Sequence, residues 1–238
     1  CPWDAEQDHK SIMRCAIEEA YELADAIENE NAEDMKEELG DVLLQVVFHS
    51  LIARDERQFE LADVINLLCD KLIYRHPHVF GNARVADADE VTVNWDRLKR
   101  KENGKSERKS ILEGIPASLP ALLFALKIQS AAGRAGFDWD DAGGVLEKIK
   151  EEIGEVSEAV QSGGDGAVFD EIGDLIFSVV NLARMLGVDP EAALRKSNKK
   201  FMTRFSAIED AAADRDTPLS EMPMAEKERI WQQAKKAE

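Results

Sequence analysis

The chain has 238 residues, 44% of them hydrophobic, and its 48 Asp and Glu against 30 Lys and Arg leave a formal net charge of -18. That apolar content supplies a core for one large domain or two ordinary ones, which excludes disorder as the default. The acidic field repels DNA, RNA and anionic lipid, so neither nucleic acid nor a membrane is expected as a partner.

Only 7 Pro, 14 Gly and 6% aromatic residues, beside prominent Ala, Leu, Glu, Lys and Arg, predict an all-α protein. Apolar residues at helical spacing predict helices near 5–30, 33–54, 61–75 and 90–103. Within the first, the opening CPWDAEQDHKS has no signal-peptide pattern, and Cys1 is no initiator methionine, so the chain is expected to begin slightly inside a longer one. Cys1, Cys15 and Cys69 form no CxxC or Cys/His ligand spacing, and their odd number argues against a disulfide framework. They read as thiols of a reducing cytoplasm. His76 and His78, with Pro77 between them in RHPHVFG, read as a structural turn.

The stretch RKENGKSERKSILEGIPASLP is densely charged and carries Gly104, Gly114, Pro116 and Pro120, the marks of a linker. It separates an N-terminal helical domain, 1–104, from a C-terminal one, 119–238, with 105–118 between them. Helices are expected in the second domain near 119–133, 142–162, 166–187, 190–214 and 220–236. No apolar stretch approaches the roughly 18 residues needed to span a bilayer.

The two halves repeat one another. Glu18-Glu19-Ala20-Tyr21-Glu22 recurs 133 residues on as Glu151-Glu152-Ile153-Gly154-Glu155, and Glu38-Leu39-Gly40-Asp41 recurs at the same displacement as Glu171-Ile172-Gly173-Asp174. Lys71 and Arg75 match Lys200 and Arg204, and Trp95 and Lys99 match Trp231 and Lys235, each pair four residues apart. A repeat that keeps acidic, basic and tryptophan positions together indicates that the halves once shared a site.

Residues three apart share a helix face, so Glu152 with Glu155 and Glu171 with Asp174 point the same way, as do Glu19 with Glu22 and Glu38 with Asp41. An isolated EExxE is an ordinary solvated face. Here Asp41 opens VLLQVVF and Asp174 opens LIFSVVNLA, runs apolar nearly all round, which predicts helices buried inside a bundle. Like charges about 4 Å apart repel by roughly 4 kcal/mol at an effective dielectric of 20. Four gathered carboxylates therefore need raised pKa values or a bound cation, and hard oxygen ligands select Mg²⁺ or Mn²⁺. A di-iron bundle would need Glu-x-x-His on two helices, and the one instance, Glu6 to His9, lies outside both quartets. No GxxxxGK[ST] loop is present, which argues against a P-loop ATPase.

EExxE followed by ExxD on the next helix, with CPWD, EELGDVLLQVVFHS, DKLIYRHPHVFG, IPASLPAL, GFDW and EIGDLIFSVVNLAR, resembles the MazG family of all-α nucleoside triphosphate pyrophosphohydrolases over essentially the whole chain. The resemblance implies a homodimer of helical bundles that cleaves an NTP or dNTP to the monophosphate and pyrophosphate. It implies Glu152, Glu155, Glu171 and Asp174 as metal ligands, and Lys148, Glu151, Lys200, Arg204 and Trp231 as nucleotide-holding positions. Lys235, one turn beyond Trp231, is a further candidate. Lysine and arginine suit phosphate oxygens, and tryptophan stacks on any base.

The expected chemistry is Mg²⁺-assisted hydrolysis, with Glu151 or Glu152 orienting the water. At the 133 displacement Cys15 stands opposite Lys148 and Ile17 opposite Lys150. The C-terminal half is therefore expected to carry most of the activity, with Glu19, Glu22, Glu38 and Asp41 as a second metal site that binds phosphate more weakly and contributes structure, dimer contacts or regulation. A nucleotide or alarmone sensor without turnover shares every named ligand, and a dimerisation scaffold would need none of them.

Overall fold

Side-chain caps and short turns set the helix boundaries. The computed structural model describes residues 1–87, 110–215 and 217–237, with 90, 91, 94, 95, 97 and 98. Among them every regular element is a helix. The chain divides into two units, Cys1–Glu107 and Arg108–Glu238.

In the N-terminal unit, α1 is the single turn Pro2–Ala5, and α2 (Met13–Glu28) and α3 (Ala32–Asp55) form a hairpin whose faces pack on each other. Asn31 caps α3 by accepting from the amides of Glu33 and Asp34. A reciprocal capping box between Glu60 and Asp63 starts α4 (Leu61–Arg75), which touches α3, and α5 is the turn Pro77–Phe80 in RHPHVFG.

The helix expected over 5–30 is broken at residues 6–12. Asp8 folds its carboxylate back onto the amides of Lys10 (2.9 Å) and Ser11 (2.7 Å), a local turn that competes with helical bonding. The Ser11 hydroxyl adds a bond to Gln7. His9 is thereby presented to α3, where its Nδ1 lies 2.8 Å from Nδ1 of His49 and the two rings stack. Most of the helix expected near 90–103, including Lys99, lies outside the described residues.

The C-terminal unit contains α6 (Ala121–Arg134), α7 (Ala142–Ser162), α8 (Asp165–Met185), α9 (Pro190–Ala213) and α10 (Met224–Ala237). Helix α8 packs on both α7 and α6, and α9 packs on α10 and reaches α6. Val145, Ala159, Val180, Ala125 and Ala131 close the first group, and Ile208, Ala212, Met222 and Ile230 the second.

The helices carrying the two ExxD motifs are not wrapped on all sides, contrary to the expectation from their apolar runs. Leu39, Leu43, Leu44 and Val46 on α3, and Ile172, Ile176, Phe177 and Val179 on α8, remain exposed. The physical reason is the thin cover: α3 receives α2 along one face and α4 over only a short stretch. On α4, Ile65, Leu68, Leu72 and Ile73 are exposed as well.

Candidate functional site

Helix α7 starts at Ala142 because Asp141 caps it, accepting from Gly143 N (2.7 Å) and Gly144 N (3.2 Å). That register places Glu152 and Glu155 on the face toward α8, which follows after only Gly163 and Gly164. One carboxylate oxygen from each of Glu152, Glu155 and Glu171 lies within 4.8 Å of the others.

Glu152 is 3% exposed. Its Oε1 pairs with the Lys148 ammonium at 2.8 Å, and the same ammonium reaches Glu151 at 2.7 Å. The two carboxylates, Glu151 first, hold the Lys148 pKa well above its ordinary value. The other oxygen of Glu152, Oε2, is buried with no hydrogen-bond partner. Burial, then the adjoining Glu152 carboxylate, pushes the Glu155 carboxyl upward; Glu171 adds to this and Lys148 opposes it. Of the three carboxylates only Glu152 is buried.

Asp174 is not among the three gathered oxygens. It lines, with Lys148 and Glu152, a cavity of about 730 Å³ inside the C-terminal unit. Its other walls include Ile128, Gln129, Phe137, Trp139 and Phe177. Arg184 braces one side: Nη1 donates to Asp138 Oδ2 at 3.0 Å, Nη2 to Oδ1, and Nε to Asn181 at 2.9 Å. The guanidinium holds the Asp138 carboxyl below the usual carboxylate range. Two glycines make the wall possible. A Cβ on Gly133 would meet Asp138 Oδ2 at 2.6 Å, and one on Gly144 would meet the Trp139 ring at 2.6 Å.

The remaining residues implied by resemblance sit on α9 and α10. Arg204 lies over Trp231, Cζ to ring centre 5.4 Å, and Phe201 meets the same ring edge-on at 5.2 Å. Trp231 also packs against the Ile208, Ala212, Met222 and Ile230 cluster. Lys200 and Lys235 are exposed. The structure thus brings Arg204 and Trp231 together, but none of these four lines the cavity beside Lys148 and Glu152.

The N-terminal unit repeats the pattern. Oxygens of Glu19, Glu38 and Asp41 lie within 4.8 Å of one another, and Glu22 is close enough to repel Glu19 and Glu38. Burial is the larger cause raising the pKa of both, with neighbouring negative charge adding to it. Arg75 lies over Trp95 at 4.7 Å, the counterpart of Arg204 over Trp231.

Sequence analysis did not single out Gln129, Asp138, Phe177, Asn181 or Arg184. GFDW and NLAR were legible as family-like stretches, but no chemistry follows from them until the chain folds. One signal was available for Gln129: it shares a helical face with Ala125 and Ala132, a polar residue in an apolar stripe.

These features define a duplicated all-α protein in which each unit gathers three carboxylates on a helical hairpin. The MazG nucleotide pyrophosphohydrolase domain matches residues 7–80 and 141–207. The chain is 46% identical over 235 residues to the nucleoside triphosphate pyrophosphohydrolase/pyrophosphatase MazG of Thermotoga maritima, covering 99% of this chain and 89% of the relative. It is 43% identical over 240 residues to the nucleoside triphosphate pyrophosphohydrolase of Escherichia coli K12, covering 100% and 91%. The chain belongs to the MazG family.

Proposed function

We propose that the C-terminal unit binds an NTP or dNTP with Mg²⁺ and hydrolyses it to the monophosphate and pyrophosphate. Hydrolysis of a nucleoside triphosphate in this manner accords with the names of the full-length relatives. The observation that carries the magnesium reading is that Glu152, whose Oε2 is buried and unpartnered, has a carboxylate oxygen within 4.8 Å of those of Glu155 and Glu171. An all-oxygen set fits a hard divalent cation, with Mn²⁺ as an alternative.

Glu152, Glu155 and Glu171 would hold the ion, with Asp174 completing the set from the cavity wall. A divalent ion held there would offset triphosphate charge and would lower the pKa of a coordinated water. Lys148 supplies the nearest side-chain cation for a phosphate oxygen. Since Glu152 has one oxygen on Lys148 and the other buried, the more exposed Glu151 is the better placed to orient the attacking water. Lys200, Arg204, Trp231 and Lys235 would act as a separate cationic and aromatic surface, brought to a nucleotide by a second copy of the chain or by movement of α9 and α10. The exposed apolar faces of α3, α4 and α8 support a homodimer.

No helix among the described residues is long and apolar enough to cross a membrane. The same proposal, drawn from the family resemblance, makes the chain a cytoplasmic enzyme that keeps the nucleotide pool in order, with broad base tolerance. The test is pyrophosphate and monophosphate release from a panel of NTPs and dNTPs, with and without Mg²⁺. Cation-dependent release from several bases is expected. Tight nucleotide binding with no release would favour a sensor instead.

A further inference from the structure

Each unit ties the segment that enters its carboxylate hairpin to the second helix of that hairpin, and the two ties differ in chemistry. In the C-terminal unit Asp138, ahead of α7, is gripped by both terminal nitrogens of Arg184 on α8. In the N-terminal unit His9, ahead of α2, sets its Nδ1 2.8 Å from Nδ1 of His49 on α3, with the rings parallel to within 5°. The ties are not copies of one another. At the 133 displacement Ala142 and Leu182 stand opposite the histidines, and Ala5 and Leu51 opposite Asp138 and Arg184. A guanidinium and a carboxylate keep their charges through the neutral and mildly acidic range. A bond between two imidazoles has no such persistence, since one ring must offer a bare nitrogen to accept.

We propose that the His9–His49 contact is an acid-released latch, which frees residues 6–11 from α3 when both rings carry a proton, while the C-terminal unit stays fastened. With both rings protonated, two N–H groups and two positive charges face each other at the distance of a hydrogen bond. Burial, then His9, already hold the His49 pKa below its ordinary 6.5. Parting the rings relieves both causes, so falling pH favours the open segment. The other charges nearby do not cancel this. Glu56, at the end of α3, comes to 3.9 Å of His9 Nε2 and offsets one charge of the two. Arg54 is paired with Asp55, Arg14 on α2 with Glu18, and Glu60 and Asp63 at the start of α4 close on each other's amides. The Ser11 and Lys10 amides hold the Asp8 carboxyl below the usual carboxylate range, so the turn it makes is not the part that acid undoes first.

The experiment is amide hydrogen exchange on the full chain, read by mass spectrometry and corrected for the intrinsic pH dependence of exchange. It compares residues 6–11 with residues 135–141, the corresponding entry segment of the other unit. Between about pH 7.5 and about pH 5.5 the protection of residues 6–11 is expected to fall about tenfold, the equilibrium worth of one hydrogen bond. That of residues 135–141 is expected to hold. His49→Phe fills the space without a hydrogen bond, and there residues 6–11 are expected to be poorly protected at both pH values.

Unchanged protection of residues 6–11 across that interval overturns the proposal. So does an equal loss from both segments, which reports a general loosening in acid rather than a latch. Both comparisons use the unaltered chain, so a variant that folds poorly does not blunt them. A pH-dependent loss that survives in His49→Phe puts the trigger on another group and overturns the proposal as well.

Discussion

The two carboxylate clusters have matching acidic residues and different company. In the C-terminal unit Glu152 is buried with Lys148 against one oxygen, so part of its charge is balanced by the chain itself. In the N-terminal unit Cys15 occupies the matching position, and among the described residues no cation pairs with Glu19 or Glu38. Burial, with neighbouring negative charge adding to it, shifts both carboxyls upward, as it does Glu155 in the other unit. The comparison teaches that keeping a set of carboxylates through a duplication does not keep what lies beside them. On the proposed function the lysine, more than the glutamates, would separate a place suited to a charged phosphate from one suited to a cation alone.

The largest effect should come from removing one carboxylate from each cluster in turn. Glu152→Ala is expected to lower steady-state pyrophosphate release by about a hundredfold or more, as loss of a metal ligand does. Glu19→Ala should leave it within about twofold, the scatter of a surface change. Equal losses from the two substitutions would break the asymmetry and make both units catalytic.

Exchanging the distinguishing residue sharpens the same point. Lys148→Met removes a phosphate-binding charge and leaves Glu152 buried without its partner, so KM for ATP should rise about tenfold. The reciprocal Cys15→Lys places an ammonium one turn before Glu19. It should stabilise the metal-free N-terminal unit by about 0.5 kcal/mol in urea unfolding, the worth of a helix ion pair. A loss of stability would mean that Cys15 is held by packing that a lysine disrupts.

The smallest expected effect is a pH response confined to the N-terminal unit. Burial, and then the neighbouring His9, hold the His49 pKa below its ordinary 6.5. The unfolded chain thus takes up this proton before the folded one, and stability falls as the pH drops below about 6.5. Glu19 and Glu38 work in the opposite sense, since a raised carboxyl pKa contributes stability that is lost as pH rises through it. Calorimetry of the chain beside His49→Phe separates the two. The midpoint of the unaltered protein should fall by a few degrees more between pH 7 and pH 5.5. Parallel curves would show that the His9–His49 contact does not govern the response.

Much of the fold was legible because helical period and turn chemistry are local. Helix α3 and the hairpin α7–α8 fall near their expected bounds, with Asn31 and Asp141 as caps. The break before α2 was missed because its cause is a side chain: Asp8 offers its carboxylate to two amides that a helix would otherwise use. Exposure of α3 and α8 was missed for a different reason. An apolar run states that a surface needs cover without stating whether the same chain supplies it.

The sequence by itself determined the class of this protein: an all-α tandem repeat of carboxylate-bearing helices. Spacings of three and four residues select a helix face whatever the helix packs against, and the 133-residue displacement is preserved in both motifs. Only the tertiary structure decided which groups keep company. Lys148 and Glu152 share one turn, but Gln129, Asp138 and Arg184 join them through the packing of α6, α7 and α8, and Trp231 is drawn instead to Phe201 and Arg204. Contacts between residues far apart in the chain are set by how helices cross, and that depends on every side chain in the interface at once.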